Sequence, residues 1–293
     1  MFFYVLYEKK LLSDLKLFNI PQVNYTFSSP DIIIHNDRIS YDSIPDLNKC
    51  ICYNKDCFIM KFYCGALQIN KGKEIIYEIC PGYDAESFTP FIVGWGMAIV
   101  LSQMDYSVFH CSALVHNDIG FFVSGVSGAG KSTTSLELIK KGCSFLADDL
   151  AIIDSYENMM ILPAYPIQKV CHDIALNLDK DHLYSIPNDR GKYSYLNTTD
   201  YCSLPKPLKF FFQLSFSDED FLEAKEITGV EKYFKIIENL YISLQYAESS
   251  LPGNERFQCL KIAGNVRFFL IKRPKGKNTL NEITEFIIKT LSE

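Results

Sequence analysis

The sequence is short of several features that would place it by composition. Neither sign of charge dominates: 29 Lys and Arg stand against 35 Asp and Glu, for a formal net charge of −6. No bulk affinity for nucleic acid or an anionic membrane follows from that balance, though local basic sites are left open. Long apolar runs are missing. The longest, Phe91 to Leu101, is interrupted by Gly94 and Gly96 and is too short to span a bilayer. It reads as a buried helix. A secretory leader is missing too, because Met1–Lys10 carries its charge after its apolar residues, the reverse of a leader. There is no internal repeat, no low-complexity tract and no linker rich in Pro, Gly or Ser. The 10 cysteines lack regular spacing and read as free thiols in a reducing cytoplasm. The cluster Cys50, Cys52, Cys57 and Cys64 fits no usual zinc spacing and has no histidine close by.

What is there is ordinary for a globular chain of one or two domains: 293 residues, 48% hydrophobic and 22% charged. Residues 1 to 83 read as short strands and turns, with strands near Phe2–Tyr7, Asp31–His35, Cys57–Tyr63 and Glu74–Cys80. Lys71-Gly72-Lys73 reads as a hairpin turn, and Pro81-Gly82 ends this small β-rich N-terminal unit. A second unit, 84–293, opens with a helix from Ala85 to Met104 capped by Asp84. A strand at Val108–Val115, a turn at Asn117-Asp118 and a strand at Ile119–Ser124 follow. Then come a helix at Lys131–Lys141 closed by Gly142, and a strand at Ser144–Asp148. Strand, loop, helix and strand in that order make an α/β core unit. Later elements are a strand at Leu208–Ser215, helices within Glu231–Gln245, a strand at Asn265–Ile271 and a helix at Leu280–Leu291.

Residues 125–132 carry the chemistry. They read Gly125, Val126, Ser127, Gly128, Ala129, Gly130, Lys131, Ser132, a full match to the G-x-x-x-x-G-K-[ST] phosphate loop. Glycines let the backbone curl so that N–H groups point inward, and the following helix N-terminus, with Thr133 in its first turn, adds to the anion site. Lys131 supplies a cation for the β- and γ-phosphates, and Ser132 a hydroxyl for Mg²⁺. Chance would produce such a match about once in a hundred chains of this length. The strand before it and the helix after it are the context the motif requires. The cofactors read from it are ATP and Mg²⁺.

Asp148-Asp149 follow the next strand, whose end lies beside the phosphate site in an open α/β sheet. Neighbouring strand side chains point opposite ways, so the two carboxylates have different tasks. One can hold Mg²⁺ or its water, and the other can take a proton from a substrate hydroxyl. The bland alternative is a solvated Asp pair in a turn. His110 stands just ahead of the strand pair leading into the loop. A lone histidine between Phe109 and Cys111 is more often structural than functional.

The stretch Phe109-His110-Cys111-Ser112-Ala113, Gly125–Ser132 and Ala147-Asp148-Asp149 resembles the catalytic domain of the HPr kinase/phosphorylase family and its wider relatives. Those relatives include the HPr kinase-like enzymes of peptide-tailoring clusters, such as lasso-peptide kinases. In that family a His precedes the loop lysine by 21 positions, as His110 precedes Lys131 here. An Asp pair follows the lysine at 17 and 18 positions, as Asp148 and Asp149 do. Leu162–Pro166, Arg190–Tyr193 and Pro207–Phe216 extend the likeness outward. The signature Leu-Arg-Gly-Leu-Gly run of true HPr kinase/phosphorylases is absent. The resemblance implies a phosphoenolpyruvate-carboxykinase-like core with a mixed sheet, and phosphoryl transfer to a serine hydroxyl. It implies Asp149 as proton acceptor and Asp148, with Ser132, as metal or water contacts.

The sequence therefore reads as an ATP-dependent serine kinase of a peptide or small protein, cytoplasmic, with neither nucleic acid nor membrane as partner. Self-association is left open. A metabolite kinase and an ATP-binding regulator are the rivals, and a pure binder would need no base. Arg190 and Lys192 read first as part of a solvated surface loop; the sharper reading is that one of them, Lys192 ahead of Arg190, neutralises charge on the moving phosphoryl group.

Overall fold

The computed structural model describes residues 1–40, 51–53, 56–154, 159–186, 191–241 and 253–293, with 51–53 as backbone. The chain divides into two compact units, Met1–Tyr106 with Tyr184–Lys192, and Ser107–Leu183 with Tyr193–Glu293. The fold is mixed α/β with more than one mixed sheet.

The first unit holds β1 (Phe2–Leu6), β2 (Lys9–Ser13), β3 (Ile32–Asn36), β4 (Ile51–Tyr53), β5 (Cys57–Phe62), β6 (Gly65–Asn70) and β7 (Glu74–Ile79). They form one sheet in the order β1-β2-β3-β7-β6-β5-β4, parallel at β2–β3 and β3–β7 and antiparallel elsewhere. Lys71 and Gly72 both have positive φ, 51° and 66°, as the expected β6–β7 hairpin requires. Asp84 caps the following helix by accepting from the Ser87 N–H at 2.8 Å. That helix runs as α1 (Ala85–Phe91), a π turn at Ile92–Gly96 and α2 (Met97–Gln103). The π turn follows Pro90, whose missing N–H breaks the regular ladder. The whole span Ala85–Gln103 exceeds the apolar run seen in the sequence and is long and apolar enough to cross a membrane. Met97–Leu101 are nevertheless fully buried, with α2 against β6 and the π turn against β6 and β7. This is a core helix of its unit.

The second unit holds β8 (Ser107–Phe109), β9 (Cys111–His116), β10 (Ile119–Gly125), α3 (Lys131–Lys140), β11 (Ser144–Ala147), β12 (Ala151–Asp154), β13 (Met160–Leu162), β14 (Ile167–Cys171) and α4 (His172–Ala175). After β15 (Leu183–Ser185) and β16 (Lys192–Leu196) come β17 (Lys206–Ser217), β18 (Glu223–Ile227), α5 (Gly229–Glu238), α6 (Gly253–Asn265), β19 (Arg267–Pro274) and α7 (Leu280–Leu291). The main sheet runs β11-β9-β10-β17-β13-β12-β8, and β19 adds to β17 with β18 beyond it. β10, β17 and β19 are parallel, whereas β9 is antiparallel to both β10 and β11. β10 and β11 therefore point the same way, and their carboxyl ends reach the same edge as the start of β9.

Alternation along the strands builds two cores. Phe121, Val123 and Phe212 face Leu138 of α3 and Ile283 and Ile287 of α7. Phe109, Phe122, Phe211 and Phe268 meet ring against ring on the other face. Asn117 and Asp118, with φ of 49° and 63°, make the tight β9–β10 turn. Gly142 closes α3 as expected. Its N–H donates to Ile139 O at 2.9 Å and the Cys143 N–H to Leu138 O at 3.1 Å, a Schellman end.

The structure departs from the expected elements in three places. The single strand at Val108–Val115 is two, because the chain leaves one partner and joins another at His110: β8 pairs with β12, and β9 with β10 and β11. Asn265 ends a helix rather than starting a strand, and β19 begins at Arg267. The helical expectation at Glu231–Gln245 is met by α5 up to Glu238, while 242–245 lie outside the described residues.

Candidate functional site

The loop Gly125–Gly130 leaves the carboxyl end of β10 and enters α3. Gly125, Gly128 and Gly130 have φ of 145°, 81° and 100°. A Cβ at Gly125 would lie 2.5 Å from Leu214 O, and one at Gly130 2.9 Å from an Arg273 nitrogen. Glycine is required at both. No side chain caps α3 at Gly130, so its first turn keeps its positive end for an anion. Lys131 Nζ donates to Gly125 O at 2.7 Å across the loop. Ser132 and Thr133 follow in the first turn, and Ala129 is buried beneath. Arg273, at the end of β19, donates to Ala129 O at 3.3 Å and braces the loop from outside. These residues fit a nucleoside triphosphate with a divalent metal: an uncapped helix N-terminus, one cation, and a hydroxyl at the head of the helix.

The acidic pair sits at the same edge. β11 ends at Ala147, so Asp148 and Asp149 lie just past the strand, and Asp149 adopts a left-handed φ of 69°. Such a conformation costs a non-glycine residue energy and persists where surrounding contacts impose it. The contacts are on hand. Asp148 accepts from Ser112 Oγ at 2.6 Å and from the Lys169 N–H at 2.8 Å, one bond to each oxygen. Asp149 pairs with Lys169 Nζ through Oδ2. His110 Nδ1 lies 3.0 Å from the Asp149 carbonyl oxygen and 3.5 Å from its Oδ1. A carbonyl can only accept, so Nδ1 carries the proton and neutral His110 keeps Nε2 as an acceptor.

Electrostatics separates the two acids. Burial pushes the Asp148 carboxyl up, only partly offset by the Ser112 hydroxyl. Burial would raise Asp149 as well, but Lys169, His110 and Lys131 outweigh it and hold the carboxyl at about 2. Burial would lower the Lys169 ammonium, and Asp149 beside it raises it instead. Burial depresses the His110 imidazole despite Asp149 and with help from Lys131, so it is neutral at neutral pH. Tyr165, raised to about 12 by burial, and Tyr241, also raised by burial, remain protonated phenols.

Of the residues expected from sequence, the loop, His110, Asp148 and Asp149 come together at this edge. Arg190 lies outside the described residues, and Lys192 opens β16 as an exposed residue of the first unit. The cation beside the acids is Lys169, which the sequence reading missed. Its signal was available: in Ile167-Gln168-Lys169-Val170 a cation sits inside an apolar strand, where a charge needs a partner.

A cavity of about 590 Å³ opens beside the loop, lined by His110, Gly125, Val126, Ser127, Gln213, Glu238 and Asn239.

Residues 103–172 match the family model of the HPr Serine kinase C-terminal domain, a stretch that runs from before His110 to past Lys169. No curated protein matches the chain. Among solved structures, the Hpr(Ser) kinase/phosphatase from Coxiella burnetii aligns at 14% identity over 62% of this chain and 89% of that one, with a TM-score of 0.33.

Proposed function

We propose that this chain is an ATP- and Mg²⁺-dependent kinase with a phosphoenolpyruvate-carboxykinase-like core, which phosphorylates a serine hydroxyl of a peptide or small protein. A ribosomal peptide precursor, as in lasso-peptide clusters, is the favoured acceptor. The observation that supports this is the convergence at one sheet edge of a full phosphate loop and an ion-paired carboxylate with a neutral imidazole beside it.

Bound Mg-ATP supplies the phosphoryl group and a metal charge that neutralises its oxygens. The amides of Gly125–Ser132 and the α3 N-terminus hold phosphate, Lys131 adds a cation, and the Ser132 hydroxyl is a metal ligand. Asp149, kept as a carboxylate by Lys169, takes the proton from the acceptor hydroxyl. Asp148 has both oxygens engaged and fixes the turn that aims Asp149. A contact from Asp148 to metal-bound water is compatible with those bonds, because each carboxylate oxygen can accept twice.

The test is transfer from γ-labelled ATP to serine peptides by wild type and Asp149→Asn. Wild type labels peptide, and the variant loses roughly 10²–10⁴-fold in turnover with ATP affinity within a few-fold. ATP bound with no label passed to any hydroxyl compound would leave a nucleotide-dependent regulator and sink the kinase reading.

A further inference from the structure

The cavity beside the loop is lined by more than the loop: Gln213, Glu238, Asn239 and His110 join Gly125, Val126 and Ser127. Its volume of about 590 Å³ is that of a small-ligand site. β10 and β17 run in parallel with Ser124 level with Gln213. Phe121, Val123 and Phe212 belong to the α3-facing core, so Ser124 and Gln213 share the opposite face. Ser124 Oγ is buried there with no hydrogen-bond partner. Asn239, just past α5, donates Nδ2 to Gln213 Oε1 at 3.2 Å and to Lys235 O at 2.7 Å. Those bonds fix both amide orientations, so the Gln213 NH₂ group and the Asn239 carbonyl oxygen are the groups offered to a ligand. His110 offers Nε2 as an acceptor, since Nδ1 is committed to the Asp149 carbonyl. Glu238, about half exposed and bonded to Lys235, brings a carboxylate to the lining. No cation is among the described lining residues.

We propose that this cavity is the acceptor site, and that it takes a peptide main chain whose hydroxyl stands beside a neutral or basic residue. The inference rests on the kinase reading above. The cavity reaches His110, which holds the Asp149 carbonyl, so an acceptor seated there is on the side of the proton acceptor. A peptide unit has one donor and one acceptor, matching Asn239 Oδ1 and the Gln213 NH₂ group. A phosphorylated or carboxylated metabolite seated away from the loop would meet the Glu238 carboxylate with no cation among the described lining residues. Gln213 and Asn239 are then specificity residues, and Glu238 selects the charge of the flanking residue.

The experiment separates acceptor binding from nucleotide binding and from transfer. Dye-labelled peptide pools with one central serine, flanked by Lys or by Asp, are titrated by fluorescence anisotropy in the presence of a non-hydrolysable ATP analogue. Glycerol 3-phosphate serves as competitor, and the affinity for a fluorescent ATP analogue is measured in parallel. The Lys-flanked pool binds more tightly to wild type. Gln213→Met weakens peptide binding by roughly tenfold, the loss of one or two hydrogen bonds, and leaves the nucleotide affinity within about twofold. Glu238→Lys, at an exposed position, reverses the ranking of the two pools. Weaker nucleotide binding with unchanged peptide binding would make the cavity a nucleoside pocket and overturn the proposal, as would preference for glycerol 3-phosphate. Peptide binding as expected without phosphoryl transfer would overturn the kinase reading and leave the peptide site standing. Transfer at wild-type rates in both variants would do the reverse.

Discussion

Lys169→Met removes the ion pair that keeps the proposed base ionised. Asp149 lies at about 2 against an ordinary 3.8, with burial acting upward and Lys169 the largest force acting downward. At about 1.36 kcal/mol per pH unit the drop corresponds to about 2.5 kcal/mol. Both partners are open to solvent, with side chains 38% and 32% exposed, so screening reduces the realistic contribution to about 1 kcal/mol. The sign follows from a folded pKa below the unfolded one. The stabilisation is complete above about pH 4 and is lost as pH falls towards about 2. The Met variant should therefore be less stable by about 1 kcal/mol at pH 7, with the gap closing in acid. Activity should suffer more than stability. Burial acts on Asp149 with less opposition, so the acid limb of the kcat/KM profile moves to higher pH. Turnover at neutral pH falls by roughly 10- to 100-fold as Asp149 loses its alignment. Urea melts at several pH values and a pH–rate profile measure both effects. Lys169→Arg should recover part of the rate. A Met variant with the wild-type pH profile and unchanged turnover would show that Lys169 is a surface ion pair only.

Three other outcomes follow from particular residues. Lys131→Ala should weaken ATP binding by roughly 10- to 100-fold, the scale of a lost charged contact, while its urea midpoint stays at the wild-type value; unchanged affinity and turnover would refute the loop assignment. Asp148→Asn has one acceptor oxygen where two are used, by Ser112 Oγ and the Lys169 N–H, and should cost about 1–3 kcal/mol in stability. A stable Asn variant with an altered Mg²⁺ dependence would make Asp148 a direct metal contact instead. Glu255 in α6 is buried, which pushes its carboxyl up to about 7 from 4.5. A raised carboxyl gives stability that is present below about pH 4.5 and lost as pH rises through about 7, so Glu255→Gln should gain about 3 kcal/mol at pH 8 and nothing at pH 4. An equal gain at both pH values would refute burial as the cause.

The sequence by itself determined what is local in the chain. The phosphate loop, the Asn117-Asp118 turn, the Lys71-Gly72 hairpin, the Asp84 cap and the Gly142 closure each depend on a few adjacent residues and their allowed φ angles. The spacing of His110, Lys131, Asp148 and Asp149 was also legible, because one hairpin and one strand–loop–helix–strand unit fix where those positions fall. Tertiary structure decided the rest. His110 stands where the chain passes from one strand pairing to another, and no run of apolar residues marks such a break. Lys169 reaches Asp149 and its N–H reaches Asp148 from 20 and 21 positions away, a contact set by how β14 packs rather than by any periodicity. Gln213 and Asn239 read as a strand residue and a residue within a helical stretch until parallel pairing of β10 with β17 brings Ser124 and Gln213 level on one face and Asn239, just past α5, bonds to Gln213. Period-two alternation tells which residues share a face of one strand; which strands lie side by side is settled only when the whole apolar surface is buried together.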